Sequence, residues 1–162
     1  MKILYENILS VLCDDARMPL DTVAAMIGED EAAVKAAVAD MEKSGIIVKY
    51  TAIVNDERAG KSDVEALIEV KVSPVREKGF DEIAQYIYRF PEVKSVFLMS
   101  GAYDLAVFVE GKSLRDCARF VSEKLSGIDK VLSCVTHFIL KKYKTEGVVL
   151  ESDEEDRLVV QP

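Results

Sequence analysis

Ser100-Gly101-Ala102-Tyr103-Asp104 gathers a hydroxyl, a bare backbone, a phenol and a carboxylate into five residues. Glycine can take φ > 0 and lets another group approach its peptide closely. Backbone N–H groups there can hold a carboxylate while Asp104 holds an ammonium, a set suited to a small zwitterion. The competing reading is a tight turn with a solvated aspartate, because Gly, Ser and Asp are common turn residues. The flanks say where the segment sits. Val93–Met99 and Leu105–Val109 are apolar, β-rich runs, so the five residues connect a hairpin.

Few other residues invite chemistry. His137 is the single histidine, and with no acid or nucleophile at motif spacing it reads as a packing or hydrogen-bonded residue. Cys13, Cys117 and Cys134 lack metal-type spacing and each falls in an apolar pattern, so buried thiols in a reducing cytoplasm are expected. Lys141, Lys142 and Lys144 form the dense basic cluster and read as a solvated edge. There is no phosphate loop or nucleophile triad, and neither a metal nor a cofactor is expected.

The hairpin lies inside a regular succession. Phe80, Ile83, Ala84, Ile87 and Phe90 precede it at helical spacing, and Leu114, Ala118, Val121 and Leu125 follow it. Val64–Val72 and Val131–Leu140 read as outer strands. The order strand, helix, strand, strand, helix, strand is the split βαβ of ferredoxin-like folds. Helices cover one face of such a sheet. Val96, Leu98, Val107 and Val109 are expected to include residues on the other face, and an uncovered apolar face points to a second subunit.

Composition agrees with a soluble globular protein: 49% hydrophobic and 31% charged residues, with no run long enough to span a membrane. MKILYENILSVLCDD acquires acids early and lacks a small-residue cleavage site, which argues against a signal peptide. The net charge of −8 is uneven, with −5 in residues 146–162 and −3 in residues 1–145. In the tail, Gly147–Leu150 and Leu158–Val160 flank SDEED, a pattern for an acidic-tipped β-hairpin.

The first fifty residues are organised differently. Leu4, Ile8, Val11 and Leu12 mark one helix, and Leu20, Val23, Ala24 and Ile27 a second. After Gly28, a third runs from its cap Asp30 to Ser44 with Val34, Val38 and Met41 inside and Gly45 beyond its end. Ile46–Val54 is expected to be a strand. The pattern suits a winged helix-turn-helix, or a plain three-helix dimerisation head.

LDTVAAMIGEDEAAVKAAVADMEKSGIIVKYTAIVN resembles the DNA-binding head of the Lrp/AsnC family of transcriptional regulators. SGAYDLAVFVEG resembles the hairpin of that family's effector module, RAM, and together the two cover essentially the whole chain before the tail. The expected architecture is α+β: a winged helix-turn-helix (1–50), a linker (51–62), a ferredoxin-like βαββαβ RAM domain (63–145) and a C-terminal β-hairpin tail (146–162). The resemblance implies a homodimer or a ring of dimers, and a small effector, usually an amino acid. It places the effector at Ser100, Gly101, Tyr103 and Asp104, with Thr136 a further candidate. It sends helix Asp30–Ser44 into double-stranded DNA, with Ala32, Lys35, Ala36, Ala39 and Lys43 facing it.

The head departs from the family pattern of Arg, Ser and Thr on the recognition helix. Residues 1–50 carry five cations and nine acids. Phosphate contacts supply most DNA affinity and alanines distinguish bases poorly, so weak affinity per head is expected. Linking heads in an oligomer offsets this. Three functions therefore stand: an effector-gated regulator; a ligand-binding oligomer with weak or lost DNA binding; and an enzyme like the siroheme decarboxylases, tetrapyrrole enzymes that resemble this two-domain architecture. One histidine and no arginine near Gly101 count against the enzyme.

Overall fold

Apolar residues three and four apart draw the first helices together. α1 (Lys2–Asp14) buries Ile8 and Leu12, α2 (Leu20–Ile27) buries Val23 and Ala24, and α3 (Glu31–Lys43) buries Val34, Ala37, Val38 and Met41. Gly28 ends α2 at φ +71°, and its N–H returns to the Ala24 carbonyl. That left-handed value costs an L side chain about 1–2 kcal/mol. Two residues later the Asp30 carboxylate accepts the N–H groups of Ala32 and Ala33 at 2.9 and 3.2 Å, capping α3. The result is two helices joined by a three-residue turn.

The computed structural model describes residues 2–73 and 79–151. The chain divides into two compact units, residues 1–53 and 54–162. The strand expected over Ile46–Val54 does not form: among the described residues this stretch joins no sheet. Ile46, Tyr50, Ile53 and Val54 are exposed, and Val48 is 86% exposed. β-rich composition needs a ladder partner, and within one chain this segment has none. The head is therefore three helices without a wing. Cys13, expected to be buried, is exposed at the end of α1.

The second unit is built on a four-stranded antiparallel sheet. β1 (Val64–Val72), β2 (Val93–Leu98), β3 (Leu105–Gly111) and β4 (Val131–Ile139) lie in the order β2-β3-β1-β4. α4 (Asp81–Ile87) and α5 (Leu114–Phe120) make the two crossovers, which is the ferredoxin-like arrangement. α5 runs on into one π turn, Val121–Leu125, that delivers Leu125 to the core. β5 (Lys144–Thr145) and β6 (Val148–Val149) close a hairpin through Glu146 and Gly147, both at positive φ. Gly147–Leu150 thus turns back on Lys144–Thr145, whereas Leu158–Val160, the other arm expected for a tail hairpin, lies outside the described residues. Residues 55–61, within the expected linker, form a helical turn closed by Ala59 N–H to Asn55 O and Lys61 N–H to Asp56 O.

Pairing fixes which residues share a face. Ala66, Ile68, Val70 and Val72 of β1 are buried, opposite Leu105, Val107 and Val109 of β3, and they pack with Ile83, Ile87, Cys117, Phe120 and Leu125. Val107 and Val109, candidates for the uncovered face, belong instead to the helix-covered core, and Val96 packs against it. Leu98 shares their side at the strand end and is exposed. Of the stripe expected on the second helix, Leu125 is buried and Val121 packs against the core, but the first two positions are displaced. Cys117 and Phe120 point inward, while Leu114 and Ala118 are exposed, because the bulkier Phe120 takes the core slot against Phe90.

Ile68 is fully buried, so Ile68→Ala removes packed methyls from the sheet–helix interface. It is expected to cost about 2–5 kcal/mol in urea unfolding. Val48→Ala, on the unpaired segment, should stay within about 0.5 kcal/mol of wild type.

Candidate functional site

The Ser100–Asp104 connection hangs from β3 at the end of β1. Met99 N–H donates to Asp104 O at 2.8 Å and closes the hairpin, and Asp104 N–H donates to Val70 O at 3.1 Å. The register of β1 against β4 slips between Lys71 and Val72. At that bulge the Val72 N–H donates to Asp104 Oδ2 at 2.8 Å. Asp104 is therefore a bracket between hairpin and sheet, a role its turn-like sequence context did not disclose.

Inside this bracket the amides of Ser100, Gly101, Ala102 and Tyr103 donate no hydrogen bond among the described residues. Gly101 is exposed, and a Cβ built on it meets nothing within 4 Å. Its φ is not in the left-handed region, so the freedom expected of this glycine is not used for backbone strain. What it leaves is open approach to unpaired N–H groups. Tyr103 is half-buried beside them. Thr136 is elsewhere: it pairs with Ile68 on β4, and β1 stands between it and β3. Two strand spacings, roughly 10 Å, separate it from the hairpin's strand.

Two clefts in this unit lie away from the hairpin. One, about 470 Å³, is lined by the Asn55–Lys61 turn and by Lys141, Lys142, Leu150 and Glu151. The lysines there are not a free basic patch: Lys141 meets Glu151 at 2.5 Å, and Lys142 binds Glu65 and Asp56. The other, about 410 Å³, runs beside α5 over Val109, Cys117 and Phe120. Lys124 pairs there with Glu92, which holds that carboxyl below the usual carboxylate range, and Glu92 Oε2 is buried without a partner. Burial pushes the thiols of Cys117 and Cys134 up, so both are poor nucleophiles at neutral pH. Among the described residues no cluster of metal-ligating side chains occurs, and no helix is long and apolar enough to cross a membrane.

The sheet face away from the helices carries Leu67 and Glu69 of β1, Phe97 of β2, Phe108 of β3 and Val135, His137 and Ile139 of β4. Phe97 and Val135 are exposed, and Phe97 packs edge-on to Phe108 at 6.0 Å. Within this face His137 Nε2 lies 3.2 Å from Glu69 Oε1.

In the head, Ala32, Lys35, Ala36, Ala39 and Lys43 are all exposed on α3. Lys35 is engaged by Glu31 one turn earlier at 2.5 Å, and that carboxylate raises the ammonium above the usual lysine range. The α3 N-terminus is already satisfied by Asp30.

Comparison with known proteins places this geometry. A model of the Lrp/AsnC ligand binding domain matches residues 65–149. A protein of Bacillus subtilis (strain 168) named as the HTH-type transcriptional regulator YugG is 49% identical over 158 residues, covering 96% of this chain and 95% of that one. The HTH-type transcriptional regulator LrpA of Pyrococcus abyssi is 31% identical over 137 residues, covering 85% and 94%. Among solved structures, the regulator NMB0573 of Neisseria meningitidis, a complex with L-Met, superposes with a TM-score of 0.70 at 21% identity, covering 88% of this chain and 91% of that one. A ferredoxin-like unit with an open-amide hairpin, behind a helix-turn-helix head, thus accompanies extensive sequence identity to named regulators, and the chain belongs to the Lrp/AsnC family of transcriptional regulators.

Proposed function

We propose that this regulator is gated by an amino acid held at the Ser100–Asp104 hairpin, that it assembles through the open sheet face, and that it acts on double-stranded DNA in the cytoplasm through α3. The observation that carries the effector reading is the run of four unpaired amides beside Asp104. The amides meet a carboxylate, and the second carboxylate oxygen of Asp104, Oδ1, meets an ammonium. The hairpin lines neither cleft, which suits a pocket completed by another copy of the chain, and any part for Thr136 comes from such a copy. That NMB0573 was solved with L-Met supports the chemical class of the ligand.

Calorimetry against the standard amino acids tests the site. Gly101→Asp should abolish binding, because it adds a repelling carboxylate where a Cβ has room and the fold is undisturbed. Asp104→Asn keeps an acceptor for Val72 N–H but removes the charge. It should weaken binding about ten- to a hundredfold with little change in melting temperature, since a charge-assisted bond contributes about 1.5–3 kcal/mol. Equal binding by all three proteins would reduce the hairpin to a turn.

A ligand-binding oligomer with weak DNA affinity keeps one specific support: the head is acidic and Lys35 is occupied by Glu31. Glu31→Gln removes an acid and releases that lysine. In fluorescence anisotropy with a mixed-sequence duplex at low salt, affinity should rise about two- to tenfold and the salt dependence should steepen. No change in either would take α3 off the DNA.

A further inference from the structure

The open sheet face contains a titratable pair in an otherwise apolar setting. His137 and Glu69 lie 3.2 Å apart, with side chains 52% and 31% exposed. Leu67 pairs directly with both His137 and Phe108, while Glu69 lies opposite Val135 and Ala106. The other charges on this face stand toward its ends. Glu65 is bound by Lys142 and Glu110 by Lys94, and Lys71 is two residues along β1 from Glu69. β2 contributes Ser95 and Phe97 and no charge facing the pair. The face is thus close to electrically neutral and apolar at its centre. It does not repel a copy of itself, and it offers no excess charge to a strongly acidic or basic partner.

We propose that protonation of His137 tightens the association of two copies through this face. The inference rests on the assembly reading above. In the separate chain both side chains keep water. Covered, an ionised Glu69 loses its hydration and needs a cation beside it. The imidazolium of His137 is the cation already in contact. Assembly therefore favours the protonated histidine and takes up protons wherever the free chain holds the imidazole neutral. Association therefore weakens as pH rises and the imidazole gives up its proton. With one histidine in the chain, the response has one principal source.

Fluorescence-detected sedimentation of the full chain down to nanomolar concentration, between pH 6 and pH 8, reads this directly. The dissociation constant should rise about tenfold or more across that interval. His137→Gln and Glu69→Gln, both at solvent-accessible positions of the separate chain and checked for fold by circular dichroism, should flatten the profile. A wild-type constant that does not change with pH, an assembly that never dissociates in this range, or a pH response that survives in His137→Gln overturns the inference and leaves the assembly reading standing. A monomer at every pH overturns both.

Discussion

A sheet with helices on one side has two faces and one cover, and the second unit is organised around that inequality. Its covered face takes the fully buried strand residues Ala66, Ile68, Val70, Leu105, Val107 and Val109. At about 25 cal/mol per Å² of apolar surface, closing that face is what makes the unit fold. The open face keeps Phe97, Phe108, Leu67 and Val135, residues too apolar for a face meant to meet water. The same geometry sets the hairpin's place. β3 is held between β2 and β1, so its leading turn projects past the end of β1, where the bulge at Val72 gives Asp104 a donor to grip. The turn is thus anchored at its base while its tip amides stay open to approach.

Much of this was legible in the sequence, for identifiable reasons. Helices announced themselves by three-to-four spacing and by caps: Gly28 and Asp30 bound α2 and α3 where their chemistry requires it. Strand positions and order followed from β-rich runs separated by helical ones. Strand facing did not. Val107 lies in LAVFVEG, where apolar residues occupy both phases of the alternation, and only pairing with Ile68 shows which phase is inside. Ile46–Val54 has strand composition but no strand beside it, and a partner cannot be read from one chain's residues. That Asp104 also braces the sheet is not visible in the sequence, because the amide it grips, Val72, lies thirty-two residues earlier in the chain.

The head shows fold and surface chemistry set by separate residues. Its interior is that of a helix-turn-helix, with Ile8, Val23, Val34 and Met41 filling one core. Its surface is acidic, and the lysine midway along α3 is neutralised one turn away. Family membership rests on both units, yet the force with which this head holds DNA rests on a few exposed charges. In the proposed assembly, linked heads would bind DNA more tightly than one head alone.

The proposed receptor for an amino acid is the run of unpaired amides in the hairpin. Backbone amide chemical shifts of the isotope-labelled protein, recorded while the standard amino acids are added in turn, test it at the atoms concerned. One of them is expected to move the resonances of Gly101, Ala102 and Tyr103 most, with Val72 following through Asp104. Shifts centred on the cleft beside α5, around Gly111, Cys117 and Lys124, with the hairpin unmoved, would contradict it.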